Sequence, residues 1–149
     1  GNYLIKVDKS VLNVRPFIAS FVAKGRRIDD YLLKQIIQLQ EKLDHNFGRR
    51  RQKTSVGLYS HKKIKFPVYY RAVNPESVSF VPLESDKKMN LKKILESHPK
   101  GKEYSWILKN EEKYPILVDD NDEVLSFPPI INSNFKRVFG QTQPPIEND

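Results

Sequence analysis

The chain has 149 residues, 38% of them hydrophobic and 30% charged, with eight Phe, seven Tyr and one Trp. That length suits one domain with a real core, and so much bulky apolar material excludes a disordered polymer. Lys and Arg number 26 against 18 Asp and Glu, a net charge of +8, which suits equally a polyanionic partner, since neutralised phosphates release counterions, and a solvated Lys-rich surface. The lack of cysteine excludes a disulfide framework, thiolate metal sites and a Cys nucleophile, and fits a cytoplasmic location. No apolar run approaches the ~20 residues of a membrane span, and Gly1-Asn2-Tyr3-Leu4 lacks the ordered basic and apolar regions of a signal peptide. Gly1 in place of Met, and a tail of Pro144-Pro145-Ile146-Glu147-Asn148-Asp149, read as the ends of a piece cut from a longer protein.

In chain order, residues 16–23 form a nearly continuous uncharged apolar run that predicts a buried strand, ended by Gly25. Asp29 or Asp30 then caps a helix with apolar positions Leu32, Leu33, Ile36, Ile37, Leu39, Leu43 and Phe47. That spacing makes one wide stripe for a core, and Gly48 stops the helix. The run Arg49-Arg50-Arg51-Gln52-Lys53 follows, placed to meet the negative end of the helix dipole. Residues 54–59 read as a strand, and Val68–Val73 and Val78–Leu83 as two more around an Asn74-Pro75 turn. Asn90 caps a short helix, Leu91 to Ser97, which Pro99 and Gly101 end, and a second short helix covers Glu103 to Lys109. Tyr114–Asp119 and Glu123–Phe127 pair as a hairpin across Asp120-Asn121-Asp122. Pro128-Pro129 then forces extended backbone. Strands and helices interleave without a βαβ rhythm, so the predicted fold is α+β. A mixed β-sheet packs with one long and two short helices in a single domain over residues 1–149.

Little in the sequence carries the chemistry of a common enzyme class. His45, His61 and His98 show no metal-ligand spacing. The Gly-x-Ser-x-Gly elbow is missing, and the glycines are scattered singly rather than gathered into a phosphate cradle. Asp119, Asp120 and Asp122 are explained better as turn residues than as an acidic site. The basic run, with Lys24, Arg26, Arg27, Lys62, Lys63 and Lys65, divides evenly between contact with an RNA backbone and helix-end electrostatics. Phe17, Phe21, Phe47, Tyr69 and Trp106 sit in apolar patterns that predict core packing, which leaves Tyr59, beside His61, as the candidate for base stacking. The segment Leu125-Ser126-Phe127-Pro128-Pro129-Ile130-Ile131-Asn132-Ser133 is apolar and stiff with small polar groups at fixed places. It suits either the wall of a small-molecule pocket or a kinked edge strand.

At that segment the chain closely resembles the editing region of archaeal and eukaryotic phenylalanyl-tRNA synthetase beta subunits. The resemblance rests on residues 15–19, 39–43 with Arg49-Arg50-Arg51, 56–58, 80–83, 98–101, 114–116 and above all 124–133, in the family's order. It implies a mixed α+β module that hydrolyses tyrosine wrongly attached to tRNA(Phe), with a positioned water and no side-chain nucleophile. By the same resemblance Leu117 belongs to the apolar wall of the editing pocket and Ser126 to its polar contacts. Asn132 and Ser133 shape its floor, His61 lies near the substrate entrance, and Arg49, Arg50, Arg51 and Lys53 meet the tRNA. The implied partners are tRNA(Phe) and the alpha subunit. No metal or cofactor is implied in this module, since ATP and Mg belong to the synthetic site on the alpha subunit. Family members continue into a strand with an Asp-x-Thr-Gly motif that also lines the pocket, and this chain reads as ending just before it. The rival readings are an editing domain acting in trans and an RNA-binding or scaffold module without hydrolytic activity.

Overall fold

The computed structural model describes residues 3–22, 24, 30–43, 51–53, 55, 57 and 59–134. Strand β1 (Ile5–Val7) leads into a 3-10 turn, Lys9–Val11, capped by Asp8, whose carboxylate accepts from the Ser10 amide at 2.9 Å. Helix α1 (Asp30–Lys42) follows, then β2 (Val68–Val73), a small hairpin of β3 (Ser79–Phe80) and β4 (Met89–Asn90), and the short helices α2 (Leu91–Ser97) and α3 (Pro99–Tyr104). The chain then adds β5 (Tyr114–Val118), β6 (Val124–Phe127) and β7 (Ile131–Asn132). The main sheet runs β1-β2-β5-β6-β7, parallel between β1 and β2 and antiparallel elsewhere. Among the described residues the architecture is α+β around a mixed sheet, with one long and two short α-helices, as the sequence predicts.

Alternation along the strands divides the apolar residues between two layers. One layer gathers Ile116, Val118, Val124, Phe127 and Ile131 from the sheet with Phe80, Leu83, Leu91, Ile94 and Leu108 from the hairpin and helices. Each such side chain contributes roughly 1.5–3 kcal/mol of burial. The smaller layer joins Val11, Tyr70 and Ala72 to Ile5, Val14, Ile18 and Leu117. Local chemistry fixes the helix starts. Asn90 caps α2 by accepting from the Lys93 amide at 2.8 Å. His98 ends α2 and caps α3, its Nδ1 accepting from the Lys100 amide at 3.1 Å.

Several expectations change. Residues 16–22 form no strand: Phe17 and Phe21 are 93% and 91% exposed, while the intervening Ile18 packs against the sheet. Trp106 is exposed and Tyr69 half-buried, so neither is core. The long helix keeps its place, but Leu32 and Leu39 of its stripe are exposed and Ile36 and Ile37 half-buried. Asp29, Phe47 and Gly48 lie outside the described residues. Of residues 54–59, those described lie in no strand, and Tyr59 makes an isolated bridge. The strand expected at Val78–Leu83 shortens to β3, with Pro82 bridged to Ser133. Pro99 begins a helix instead of ending one, because its ring is preorganised for the first helical position. The second short helix therefore starts at Pro99, and residues 105–108 tighten to a 3-10 turn. Pro128 and Pro129 do not prolong an extended wall: they make the tight β6–β7 turn, closed by the Ile130 amide on the Phe127 carbonyl at 2.8 Å. The kinked edge strand is met in part: β6 is paired on both sides, but after the proline turn β7 forms the edge of the sheet.

Candidate functional site

Three of the residues singled out from the sequence meet in one line. Leu117 of β5 stands opposite Ser126 of β6, and Ser126 stands opposite Asn132 of β7. Residues directly opposite share a sheet face, so an apolar group, a hydroxyl and an amide form a row across three strands. A bulge sets this phase. Leu117 pairs with Ser126 but Val118 pairs with Val124, which leaves Leu125 as an extra residue on β6. Val124 therefore packs in the main core, and Ser126, two residues on, is carried to the opposite face. Without the extra residue Ser126 would point where Val124 points, into hydrocarbon. Ser126 is buried, while Leu117 and Asn132 are half-buried.

A fourth residue completes the group. The Tyr59 hydroxyl donates to Asn132 Oδ1 at 2.7 Å. Burial pushes the Tyr59 phenol up to about 12, offset in part by a hydrogen bond from Ser126. The phenol is thus neutral at physiological pH and touches both polar members of the row. With Oδ1 occupied, the Asn132 amide turns its two N–H donors toward whatever else enters. The basic and aromatic sequence context of Tyr59 indicated a surface role. Its bond to Asn132 spans 73 residues, and no local pattern reports a contact of that range.

Ser133 departs from the row. It sits one residue beyond Asn132, in the opposite phase, buried, with its amide on the Leu125 carbonyl at 3.0 Å. His61 lies in a 3-10 turn, His61–Lys63, and its ring meets the edge of Tyr3 at 5.6 Å. Lys24 lies over the same Tyr3 ring at 4.8 Å.

Arg51 is engaged internally. Its Nη1 donates to the Pro129 and Ile130 carbonyls at 3.1 and 2.8 Å, and its guanidinium lies 4.2 Å from the centre of the Tyr104 ring. Arg15 in turn donates to the Arg51 and Gln52 carbonyls at 2.9 and 3.0 Å. This relay holds the β6–β7 turn, and with it Asn132, to residues 51–52. Lys53 is exposed, and Arg49 and Arg50 lie outside the described residues.

The other buried polar groups have structural work. Asp119 accepts from the Asn121, Glu123 and Lys65 amides at 2.9, 3.1 and 3.2 Å, which accounts for it as a turn organiser. His98 Nε2 bonds the Leu83 carbonyl at 2.9 Å. Among the described residues no group of three or more His, Asp or Glu side chains could hold a metal ion, and no helix is long and apolar enough to cross a membrane.

No protein-family model matches the chain. Curated relatives do. The chain is 45% identical over 142 residues to the phenylalanine–tRNA ligase beta subunit of Archaeoglobus fulgidus, covering 95% of this chain and 26% of the relative. It is 50% identical over 130 residues to that of Borreliella afzelii, covering 87% and 23%. Its fold matches the crystal structure of an N-terminal fragment of the phenylalanyl-tRNA synthetase beta-subunit from Pyrococcus horikoshii with a TM-score of 0.83 and 41% identity, over 91% of this chain and 39% of that one. The chain spans about a quarter of the length of the curated relatives it matches. Sequence and fold together place it, as a part, in the family of phenylalanine–tRNA ligase beta subunits.

Proposed function

We propose that this chain is the editing module of a phenylalanine–tRNA ligase beta subunit, removing tyrosine that has been wrongly attached to tRNA(Phe). The observation that carries the reading is the row Leu117–Ser126–Asn132, with its apolar and polar groups brought to one face by the bulge in β6. The chemical need is plain. An apolar pocket built for phenylalanine cannot strongly reject an isostere that merely adds a hydroxyl, so a second site must sort the products. A site that favours the phenol gives its hydroxyl a partner that phenylalanine cannot use. Leu117 suits the flank of the ring, and Ser126 and the Asn132 amide suit its hydroxyl or the attacking water. None of the three is a base that would activate the Ser126 hydroxyl as a nucleophile, and the chemistry asks for no covalent step. The ester of an aminoacyl-tRNA is already activated, and a positioned water with preorganised hydrogen bonds suffices.

The partners that go with this reading are tRNA(Phe) and the alpha subunit, in the cytoplasm. The net charge of +8 favours a second reading, an RNA-binding or scaffold module without hydrolytic activity. Release of tyrosine from Tyr-tRNA(Phe), against release of phenylalanine from Phe-tRNA(Phe), separates the two. The measurement uses a full-length ligase that contains this chain. Editing predicts tyrosine-selective hydrolysis. Salt-sensitive tRNA binding with equal, background loss of both amino acids would leave only the second reading.

A further inference from the structure

The group that Tyr59 presents to Asn132 and Ser126 is a phenol, the same group that a tyrosyl ester would bring. Its hydroxyl uses Asn132 Oδ1 at 2.7 Å, and Asn132 stands directly opposite Ser126, so the polar end of the row is already answering a phenol. We propose that Tyr59 is a self-ligand, occupying the phenol subsite of the empty pocket and leaving it when a tyrosyl group binds. The inference rests on the editing reading above and adds to it the state of the site before substrate arrives.

Three features allow the exchange. Tyr59 itself lies in no named strand and makes only an isolated bridge, so turning its side chain out breaks no ladder among the described strands. The ring is folded back along its own segment: a Cβ on Gly57 would lie 2.9 Å from the Tyr59 hydroxyl oxygen and 3.0 Å from the ring. Glycine at 57 therefore gives the phenol its seat, and the neighbouring Ser55 and Gly57 are exposed, which leaves space outside. Finally, the exchange is selective by itself. A displaced Tyr59 leaves Asn132 without its phenol, which costs an unsatisfied amide oxygen. A tyrosyl group restores the bond. A phenylalanyl group does not.

Two variants weaken the seat in different ways. Tyr59→Phe deletes the hydroxyl and keeps the ring; Gly57→Ala keeps Tyr59 and crowds its phenol. Binding is measured to 3′-(L-tyrosyl)amino-3′-deoxyadenosine and its phenylalanyl counterpart, neither of which can be hydrolysed. The full-length ligase is used with its synthetic site saturated by a phenylalanyl-adenylate analogue. Both variants are expected to tighten both probes by about three- to tenfold, the scale of one lost hydrogen bond, with the preference for the tyrosyl probe unchanged. A weaker tyrosyl probe, or a collapsed preference, would make Tyr59 a fixed wall of the pocket and overturn the inference. Unchanged affinities would do the same. If neither probe binds any form, the inference also falls. Tyrosine-selective hydrolysis by the same enzyme would show that the editing reading survives that failure, and its absence that both fail together.

Discussion

Replacing Arg51 separates its internal role from the tRNA contact that the sequence assigns to it. The side chain makes two charge-assisted bonds to the β6–β7 turn, at 3.1 and 2.8 Å, and lies over Tyr104 at 4.2 Å. Bonds from ionised donors contribute about 1.5–3 kcal/mol each and a half-buried cation–π contact roughly 0.5–1. The contacts are not additive and Arg51 is only half-buried, so we expect Arg51→Ala to cost about 3 kcal/mol. The backbone at Arg51 is left-handed, φ 71°, a conformation that strains alanine as it strains arginine, so the Ala variant isolates the side chain. For a domain of this length that loss lowers the thermal midpoint by roughly 10 °C. Arg51→Lys recovers less than half, since a compact, strongly hydrated ammonium gives up the planar stacking on Tyr104 and the preorganised geometry of the guanidinium. Thermal unfolding is read beside tRNA affinity over a range of salt. If Arg51→Ala keeps its midpoint while the salt slope of tRNA binding falls by about one, Arg51 is a phosphate contact and the clamp is wrong.

Gly101→Ala places a Cβ 1.8 Å from the Ile94 carbonyl oxygen and 2.9 Å from Leu95 Cα. These are backbone atoms that cannot swing aside, so a loss of about 3 kcal/mol or more in urea unfolding is expected, and an unchanged midpoint would contradict the α2–α3 packing. At His98, Ala removes both the α3 cap and the partner of the Leu83 carbonyl, costing about 3 kcal/mol. Asn keeps the cap alone and should recover about 1 kcal/mol in the same experiment. The Tyr59 phenol rises from 10 unfolded to about 12 folded, chiefly through burial. Its contribution is therefore complete below pH 10 and is lost as pH climbs from 10 to 12. The stability advantage of the native chain over Tyr59→Phe should shrink by about 2–3 kcal/mol across that window. A constant difference would refute the desolvated phenol.

What the sequence made legible is what short-range chemistry decides. Val68–Val73 and the Asn90-capped helix Leu91–Ser97 appear at their expected bounds, because β-branched and aromatic content beside a turn signal, and a cap, are read within a few residues. Strands β5 and β6 appear within one residue for the same reason. Pro99 misleads because proline suits both the residue after a helix and the first residue inside one. Residues 16–22 mislead because an apolar run reports burial without saying against what, and here Phe17 and Phe21 face outward while Ile18 faces in. Of the site, the residue types at 117, 126 and 132 were legible through resemblance. Their assembly into one row was not, since it depends on a one-residue bulge that reverses the phase of β6. The roles of Tyr59 and Arg51 rest on contacts spanning 73 and 78–79 residues, beyond the reach of any periodicity.

The central question is whether the row Leu117–Ser126–Asn132 discriminates a phenol while its ester is cut. The most direct measurement is the ratio of kcat/KM for Tyr-tRNA(Phe) and Phe-tRNA(Phe) in a full-length ligase carrying Ser126→Ala or Asn132→Ala. An editing row gives a ratio well above one in the native enzyme that falls about tenfold in at least one variant, mainly through the tyrosyl ester, with tRNA affinity unchanged. A native ratio near one, or a ratio that neither substitution moves, would contradict the editing reading.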